Sequence, residues 1–156
     1  MRKFSISIFG VLVLMLTGCA ATKIFVQQPY DLKSTDSFSY KILESDKVDE
    51  NTKKIFGNQL DKNFLSRELN KGLPTRHVEI VFTSYDVRHG AARALAGALA
   101  GSDYVVTEVI IKDKETGNVL SKISVISQNK SAWGTTQGLL EKHADKIASY
   151  LKTGQV

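Results

Sequence analysis

Apolar and polar residues alternate in three stretches of the chain, and this period of two is typical of β-strands with one buried face. The first stretch covers about residues 36–43, where Phe38 and Ile42 share a face. The second covers about 77–87, and the third is a longer stretch over 103–128. Because the third stretch is long enough for a hairpin, the pattern predicts about four strands.

Two other stretches repeat apolar residues every three to four positions, which is the period of an amphipathic helix. The first predicted helix covers about residues 50–70 and the second about 135–152. The apolar stripes that they bury are Phe56, Leu60 and Phe64 in the first helix, and Leu140, Ala144, Ile147 and Leu151 in the second.

Both predicted helices have suitable start signals, because short polar side chains can accept hydrogen bonds from the first free N–H groups. Asp49 or Asn51 can cap the first helix, and Thr135 or Thr136 can cap the second. The first helix is expected to end at residues 70–74, where a glycine and a proline favour termination.

Two local irregularities complete the predicted fold. The alternation of the second strand slips near Thr83 and Ser84, which predicts a β-bulge. Residues 113–118 form the predicted hairpin turn, with Gly117 at its left-handed position. The order β-α-β-β-β-α then predicts an α+β fold. We expect a two-layer sandwich in which two helices cover one face of a mixed or mainly antiparallel sheet of about four strands.

The N-terminus has the parts of a secretion signal. Arg2 and Lys3 supply positive charge, and the apolar run over residues 4–16 is shorter than the ~20 residues that a spanning helix needs. The sequence Leu16-Thr17-Gly18-Cys19 follows this run. It resembles the lipobox of bacterial lipoproteins, in which a signal peptidase cuts before the cysteine. An ordinary signal peptide and an uncleaved N-terminal anchor are the alternatives.

The lipobox resemblance implies that residues 1–18 are a signal peptide and that Cys19 becomes a lipidated N-terminus. Two or more acyl chains, such as palmitate, would hold the protein firmly at a membrane. Ala20, rather than an aspartate, follows the cysteine, which favours the outer membrane and a domain that faces the periplasm. Residues 19–35 are expected to form the lipidated N-terminus and a tether, and 36–156 a single periplasmic domain. Within the tether, Ile24-Phe25-Val26 could be a short strand or could touch the membrane interface.

Composition excludes several classes of function. Loss of Arg2 and Lys3 with the signal would reduce the net charge from +5 to +3. The remaining basic residues are scattered and are not interleaved with aromatic residues, so nucleic-acid binding is not expected. Cys19 is the only cysteine, and its acylation would leave no thiol for a disulfide or a nucleophile.

The segment over residues 90–101 is rich in alanine and glycine, and it contains a G-x-x-x-G motif of the kind that lets helices pack closely. A short helix or loop between two strands is one interpretation, and a contact surface for a partner or membrane is the other. A neighbouring cluster of basic residues and Asp86 can bind an anionic group, or can be a solvated strand end. The candidate partner-binding residues are Arg88, His89, Arg93, Leu95, Gly97, Leu99 and Gly101.

No metal-binding or catalytic motif is recognisable. His77, His89 and His143 lack the spacing of a metal site, and His143 is expected to pack beside the apolar stripe of its helix. The sequence over residues 113–117 faintly resembles a calcium loop, but its other ligands are missing, so a hairpin turn is expected. We expect no catalytic residue, no metal and no cofactor apart from the covalent lipid on Cys19.

The lipobox, the element order and the D-x-x-T-G turn at residues 113–117 resemble small uncharacterised bacterial envelope lipoproteins that are classed as domains of unknown function. More distantly, residues 36–152 resemble the small α/β module of curli-secretion and TolB-type envelope proteins. The resemblance implies a non-enzymatic lipoprotein that binds membrane lipid through its anchor and an envelope protein through its domain. It would act as an assembly, secretion or transport accessory of unknown oligomeric state. A lipid- or glycan-binding envelope module is the alternative, and a hydrolase is third.

Overall fold

A computed structural model describes residues 21–87, 102–129 and 135–156 of the chain. These residues form one sheet with two helices in the order β-β-α-β-β-β-α. The predicted α+β class is confirmed, whereas the prediction of about four strands is wrong, because the sheet has five. The elements are β1 (Ala21–Gln28), β2 (Phe38–Ile42), α1 (Glu50–Ser66), β3 (Arg76–Asp86), β4 (Asp103–Asp113), β5 (Val119–Asn129) and α2 (Thr136–Thr153).

The strands lie in the order β1-β5-β4-β3-β2 and form a mixed sheet. Four strands run antiparallel to their neighbours, while β2 pairs with β3 in parallel. A parallel pair needs a connection that returns to the same end of the sheet, and α1 provides it between β2 and β3. The first two strands of the chain consequently lie at opposite edges of the sheet.

The additional strand is β1, which lies in the predicted tether and extends well beyond the short strand over residues 24–26 that was one alternative there. Its inward side chains include Thr22 and Ile24, which lie opposite Ser127 and Val125 of β5. Only part of this edge strand is covered by the core, so few large apolar residues are needed on its inner face. This is why its alternation is weaker than that of the central strands.

The core lies between the helices and one face of the sheet. Phe56 of α1 packs edge-on against Phe82 of β3, with ring centroids 5.1 Å apart, and Phe64 packs against Tyr40 of β2 at 4.9 Å. Every second residue of β4 is buried, as expected for a strand covered on one face. Both predicted helical stripes lie in this core, and they comprise Phe56, Leu60, Phe64, Leu140, Ala144, Ile147 and Leu151.

Helix α1 begins as predicted but ends earlier. The Asp49 carboxylate accepts a hydrogen bond from the Thr52 N–H at 2.6 Å and caps the first turn. The helix ends at Ser66, because Glu68 adopts a left-handed conformation with φ of 55°. The turn is closed by a bond from the Leu69 N–H to the Phe64 carbonyl, which directs the Leu69 side chain into the core.

The two predicted irregularities of the sheet are confirmed. The pairing of β3 with β4 shifts register between Phe82 and Ser84, as the slip in alternation indicated. The turn between β4 and β5 has Gly117 at φ of 73°, which a glycine adopts without steric cost. The predicted cap of the last helix is also confirmed, since the Thr135 hydroxyl accepts from the Gly138 N–H at 3.0 Å.

Residues 29–37 cross the end of the sheet from the β1 edge to the β2 edge, and we call them the crossing segment. Tyr30 is buried there, and its hydroxyl donates to the Asp36 carboxylate at 2.6 Å. Arg76 of β3 bridges Asp36 at 2.9 Å and Asp113 of β4 at 2.7 Å. The crossing segment is therefore fixed to the end of β3 by a largely buried cation and its two carboxylate partners.

Candidate interaction surface

The free edge of β1 is the most exposed part of the sheet. This strand pairs with β5 on one side, and no strand of the described ranges pairs with its other side. Phe25 and Val26 of this strand are 53% and 37% exposed. A free edge also offers backbone N–H and C=O groups that another chain can bind.

The face of the sheet opposite the helices is open as well, and its central side chains are apolar. Val106 and Ile110 of β4 lie on this face beside Ile126 of β5, and all three are only partly buried. Phe25 lies on the same face, directly opposite Ser124 of β5. The open face thus continues the apolar character of the β1 edge across the neighbouring strands.

Charged side chains interrupt this face in pairs. Lys122 lies 3.3 Å from Glu108, and Lys112 lies 2.7 Å from Glu79. Lys23 of β1 lies beside Ile126, at the margin of the face. Paired charges keep a partly apolar face soluble, and a lysine on an edge strand reduces unspecific strand addition. The face therefore suits a specific contact better than general aggregation.

We define the β1 surface as the outward side of β1 and the side chains of β5 that adjoin it. It consists of Lys23, Phe25, Ser124 and Ile126. Gln27 donates a hydrogen bond to the Ser124 hydroxyl at 3.0 Å, which holds the end of β1 in place across the strand pair. The surface is consequently part of the folded sheet and is available for contact.

A second candidate opening lies between β2 and α1, with a volume of about 610 Å³. Tyr40 faces it, but its hydroxyl donates to Asp61 at 2.5 Å and approaches the Gly57 carbonyl at 3.2 Å. Burial and this hydrogen bond raise the pKa of Tyr40 above its ordinary value. The hydroxyl therefore fastens the strand to the helix and is not available to a ligand.

His143, which was expected to pack beside the apolar stripe of its helix, is a buried polar residue whose hydrogen-bond partners the sequence did not indicate. His143 of α2 is fully buried, with Nε2 2.8 Å from the Thr107 hydroxyl and Nδ1 2.8 Å from the Ser127 hydroxyl. Ser127 in turn lies 2.8 Å from the Thr22 hydroxyl. Burial lowers the pKa of His143 to about 3, so the ring is neutral. The pairing of Ser127 with His143 resembles a nucleophile and its base, but both are sealed inside the core.

In the 113–118 turn, which faintly resembles a calcium loop, the Asp113 carboxylate is bound by groups of the protein itself. The Asp113 carboxylate accepts from the N–H groups of Glu115 and Thr116, and from Arg76. The bonds from Thr116, aided by the charge of Arg76, lower the pKa of Asp113. No group of three potential metal ligands occurs in the part of the chain that the structure describes.

The binding residues predicted from sequence lie outside the described ranges. These residues are Cys19, Arg88, His89, Arg93, Leu95, Gly97, Leu99 and Gly101. The structure does describe Ala21 and Asp86, which lie within two residues of Cys19 and Arg88 in the sequence. Ala21, Gln128, Tyr104 and Asp86 lie side by side in one row across β1, β5, β4 and β3. Within the described ranges, no helix is both long and apolar enough to traverse a bilayer.

Residues 57–133, just under half of the chain, match the family model described as Domain of unknown function (DUF4410). This match extends from the second turn of α1 beyond the end of β5. It supports the predicted resemblance to a family of unknown function, while the likeness to curli-secretion and TolB-type modules stays a prediction. No curated protein matches the chain.

Two similar solved structures are of PelC dodecamers from Paraburkholderia phytofirmans. A single-substitution variant has a TM-score of 0.56 at 11% identity, and another PelC dodecamer has 0.54 at 12%. In each case the similarity covers 86% of this chain and 100% of the other. At these identities the likeness establishes a shared fold.

A third structure, a candidate lipoprotein from Caulobacter crescentus, has a TM-score of 0.41 at 14% identity. The similarity covers 74% of this chain and 84% of that one.

Proposed function

We propose that this chain is a non-enzymatic, membrane-anchored lipoprotein of the outer membrane, whose periplasmic domain binds another envelope protein through the β1 surface. It would serve as an accessory in envelope assembly, secretion or transport. The observation that carries the proposal is the free edge of β1, a strand that begins two residues after Cys19 and on which Phe25 is 53% exposed. A membrane anchor and an unpaired apolar edge are therefore close together in the chain.

The form of the β1 surface favours a protein partner over a small molecule. Small ligands are generally held in enclosed pockets that bury most of their surface. The β1 surface is instead an edge with exposed apolar side chains, which suits strand addition or a flat protein contact. Phe25 would be the anchoring side chain, because a large aromatic residue contributes strongly when an interface buries it.

A second copy of the chain is the first partner to consider. The two PelC structures that share this fold are dodecamers, so the fold is compatible with an assembly of copies. A contact between the β1 surface of one copy and a different surface of the next would be heterologous, and such contacts generate closed rings when the rotation closes. The proposal extends to a different envelope protein if the copies do not bind one another.

Photo-crosslinking in intact membranes tests this contact. Benzoylphenylalanine in place of Phe25 is expected to form a protein adduct on illumination. The same probe in place of Leu65, a 74% exposed residue of α1, is the matched control and should give little adduct. An adduct at twice the mass of the chain identifies a second copy, and another mass identifies a different protein. Adducts with lipid or glycan alone, or none, would contradict a protein partner.

The anchor is tested independently of the contact. Cys19→Ala removes the sulfur that would carry the lipid, so metabolic labelling with a radioactive fatty acid should be lost. A Cys19→Ala chain expressed without residues 1–18 should be recovered in the soluble fraction, because acylation provides the membrane affinity. Persistent labelling of Cys19→Ala would refute lipidation at this residue, whatever the crosslinking shows.

A further inference from the structure

We infer that the end of the sheet where β1 begins lies directly against the bilayer surface, with the lipid headgroup layer as the partner of this end. The inference rests on the proposed lipidation of Cys19, and it concerns how the domain is oriented on the membrane. One residue separates Cys19 from Ala21, where β1 begins. Two residues of extended chain span at most about 7 Å. A lipidated sulfur would therefore hold this end of the sheet at the headgroups.

Strand β1 is too well attached to serve as a flexible spacer. It pairs with β5 over most of its length, from Ala21 opposite Gln128 to Val26 opposite Ile123. Ile24 packs against the core, and the Thr22 hydroxyl lies 2.8 Å from that of Ser127. The strand would have to leave the sheet before it could act as a tether, and these contacts oppose that.

The end that we assign to the membrane is formed by several elements. The row that contains Ala21 crosses to Tyr104 and Asp86. The N-terminal half of α2 lies at the same end, since Thr22 of β1 and Glu141 of α2 line one shallow depression. Tyrosine is a residue type that is enriched at membrane interfaces, because its ring is apolar and its hydroxyl is polar. Tyr104 suits this position.

The opposite end of the domain is formed by the 113–118 turn and the crossing segment. Strand β4 runs between the two ends with 11 residues, which corresponds to about 35 Å. The C-terminus of α2 lies at this distal end, where Gly154 is close to Tyr30 and Leu32 of the crossing segment. Lipidation would thus leave the 113–118 turn far from the membrane and exposed to the periplasm.

Fluorescence quenching in vesicles tests the orientation. Two single-cysteine variants of the lipidated full-length protein, Gln137→Cys and Glu115→Cys, are labelled with the same thiol-reactive fluorophore. The acylated Cys19 cannot react, so each probe has one site. Gln137 is exposed near the start of α2, and Glu115 is exposed in the distal turn. Because Gln137 lies on a different element from the anchor, it reports the orientation of the whole domain.

The proteins are inserted into phosphatidylcholine vesicles that contain a lipid with a nitroxide-labelled headgroup. The Gln137→Cys probe is expected to lose most of its fluorescence, whereas the Glu115→Cys probe retains it. A ten-residue glycine-serine insertion before Ala21 is the matched control, since such a linker has a mean span of about 18 Å and should restore the Gln137→Cys signal.

The outcomes separate the inference from the proposal on which it rests. Equal quenching of both probes, or quenching of neither, in a protein that incorporates labelled fatty acid would overturn the orientation and leave lipidation intact. Absence of fatty-acid label would instead refute the proposed anchor, and the orientation with it.

Discussion

At the scale of single residues, His143 shows how a titratable group becomes part of a core. Its two ring nitrogens meet the hydroxyls of Thr107 and Ser127, which can act as donors or acceptors. A neutral imidazole has one donor and one acceptor, so it is fully satisfied by two hydroxyls. Protonation would place an unpaired charge in a sealed interior, which explains why burial lowers the pKa of His143 to about 3.

This shift predicts that acid destabilises the protein. Between the usual pKa of 6.5 and the folded value of about 3, the unfolded chain binds a proton at His143 and the folded chain does not. The free energy of unfolding should therefore fall as pH decreases, by about 2 kcal/mol from pH 7 to pH 5. Urea denaturation of the mature chain carrying Cys19→Ala, measured at both pH values, checks this fall.

The variant His143→Gln is the control for this titration. It should be less stable at pH 7, but it should lose the decline between pH 7 and pH 5, since glutamine does not titrate. Carboxyl groups with lowered pKa values, such as Asp49 and Asp113, lose their contribution only below about pH 4.5. An equal decline in His143→Gln would show that another group is responsible.

At the scale of elements, the early end of α1 depends on one unusual backbone conformation. Glu68 occupies the left-handed position that glycine usually takes after a helix, and this positions Leu69 in the core. The sequence predicted termination at Gly72, because glycine is the usual signal. The structure uses Glu68 instead, since the burial of Leu69 and two closing backbone bonds offset the strain of a non-glycine residue.

Substitution of Glu68 should reveal this strain. Glu68→Gly is expected to raise the free energy of unfolding by about 0.5–1 kcal/mol, because glycine adopts a positive φ freely. Glu68→Val is expected to lower it by about 1 kcal/mol or more, since a β-branched residue is disfavoured there. Glu68→Ala controls for loss of the exposed Lys71 contact, which lies at 3.7 Å. Equal stabilities of the glycine and valine variants in urea would contradict the explanation.

Elements with strong local signals were predictable, and those that depend on distant partners were not. The central strands and both helices were recognised because alternation or helical stripes are continuous over many residues. Strand β1 was assigned to a tether because Ile24 and Val26 are the only large apolar residues on its inner side, and its partner lies a hundred positions away. The β1 surface could not be predicted for the same reason.

At the scale of the whole molecule, the Arg76 side chain links parts of the chain that are far apart in sequence. It bridges the crossing segment to the turn after β4 through Asp36 and Asp113. The side chain of Asp36 is only 1% exposed, so its charge depends on Arg76 for compensation. A buried carboxylate that loses its cation is strongly destabilising.

We expect Arg76→Met to lower the free energy of unfolding by about 3 kcal/mol, because it leaves Asp36 buried without its partner. Lys122→Met is the control: Lys122 pairs with Glu108 at 3.3 Å, and this pair is more exposed. Its loss should cost less than about 1 kcal/mol. Urea denaturation of both variants measures the two losses in the free energy of unfolding. Similar losses would show that the Arg76 bridge stabilises the fold no more than an exposed ion pair does.

The pairing of β1 with β5 has a consequence for the order in which the protein forms. Thr22 and Ser127, whose hydroxyls meet across these strands, are 105 positions apart in the chain. A chain that emerges N-terminus first presents β1 at once, but its partner strand is complete only after residue 129. Contacts between such distant segments form slowly. The first strand to emerge is thus among the last to be paired, so the sheet stays incomplete until residue 129 is available.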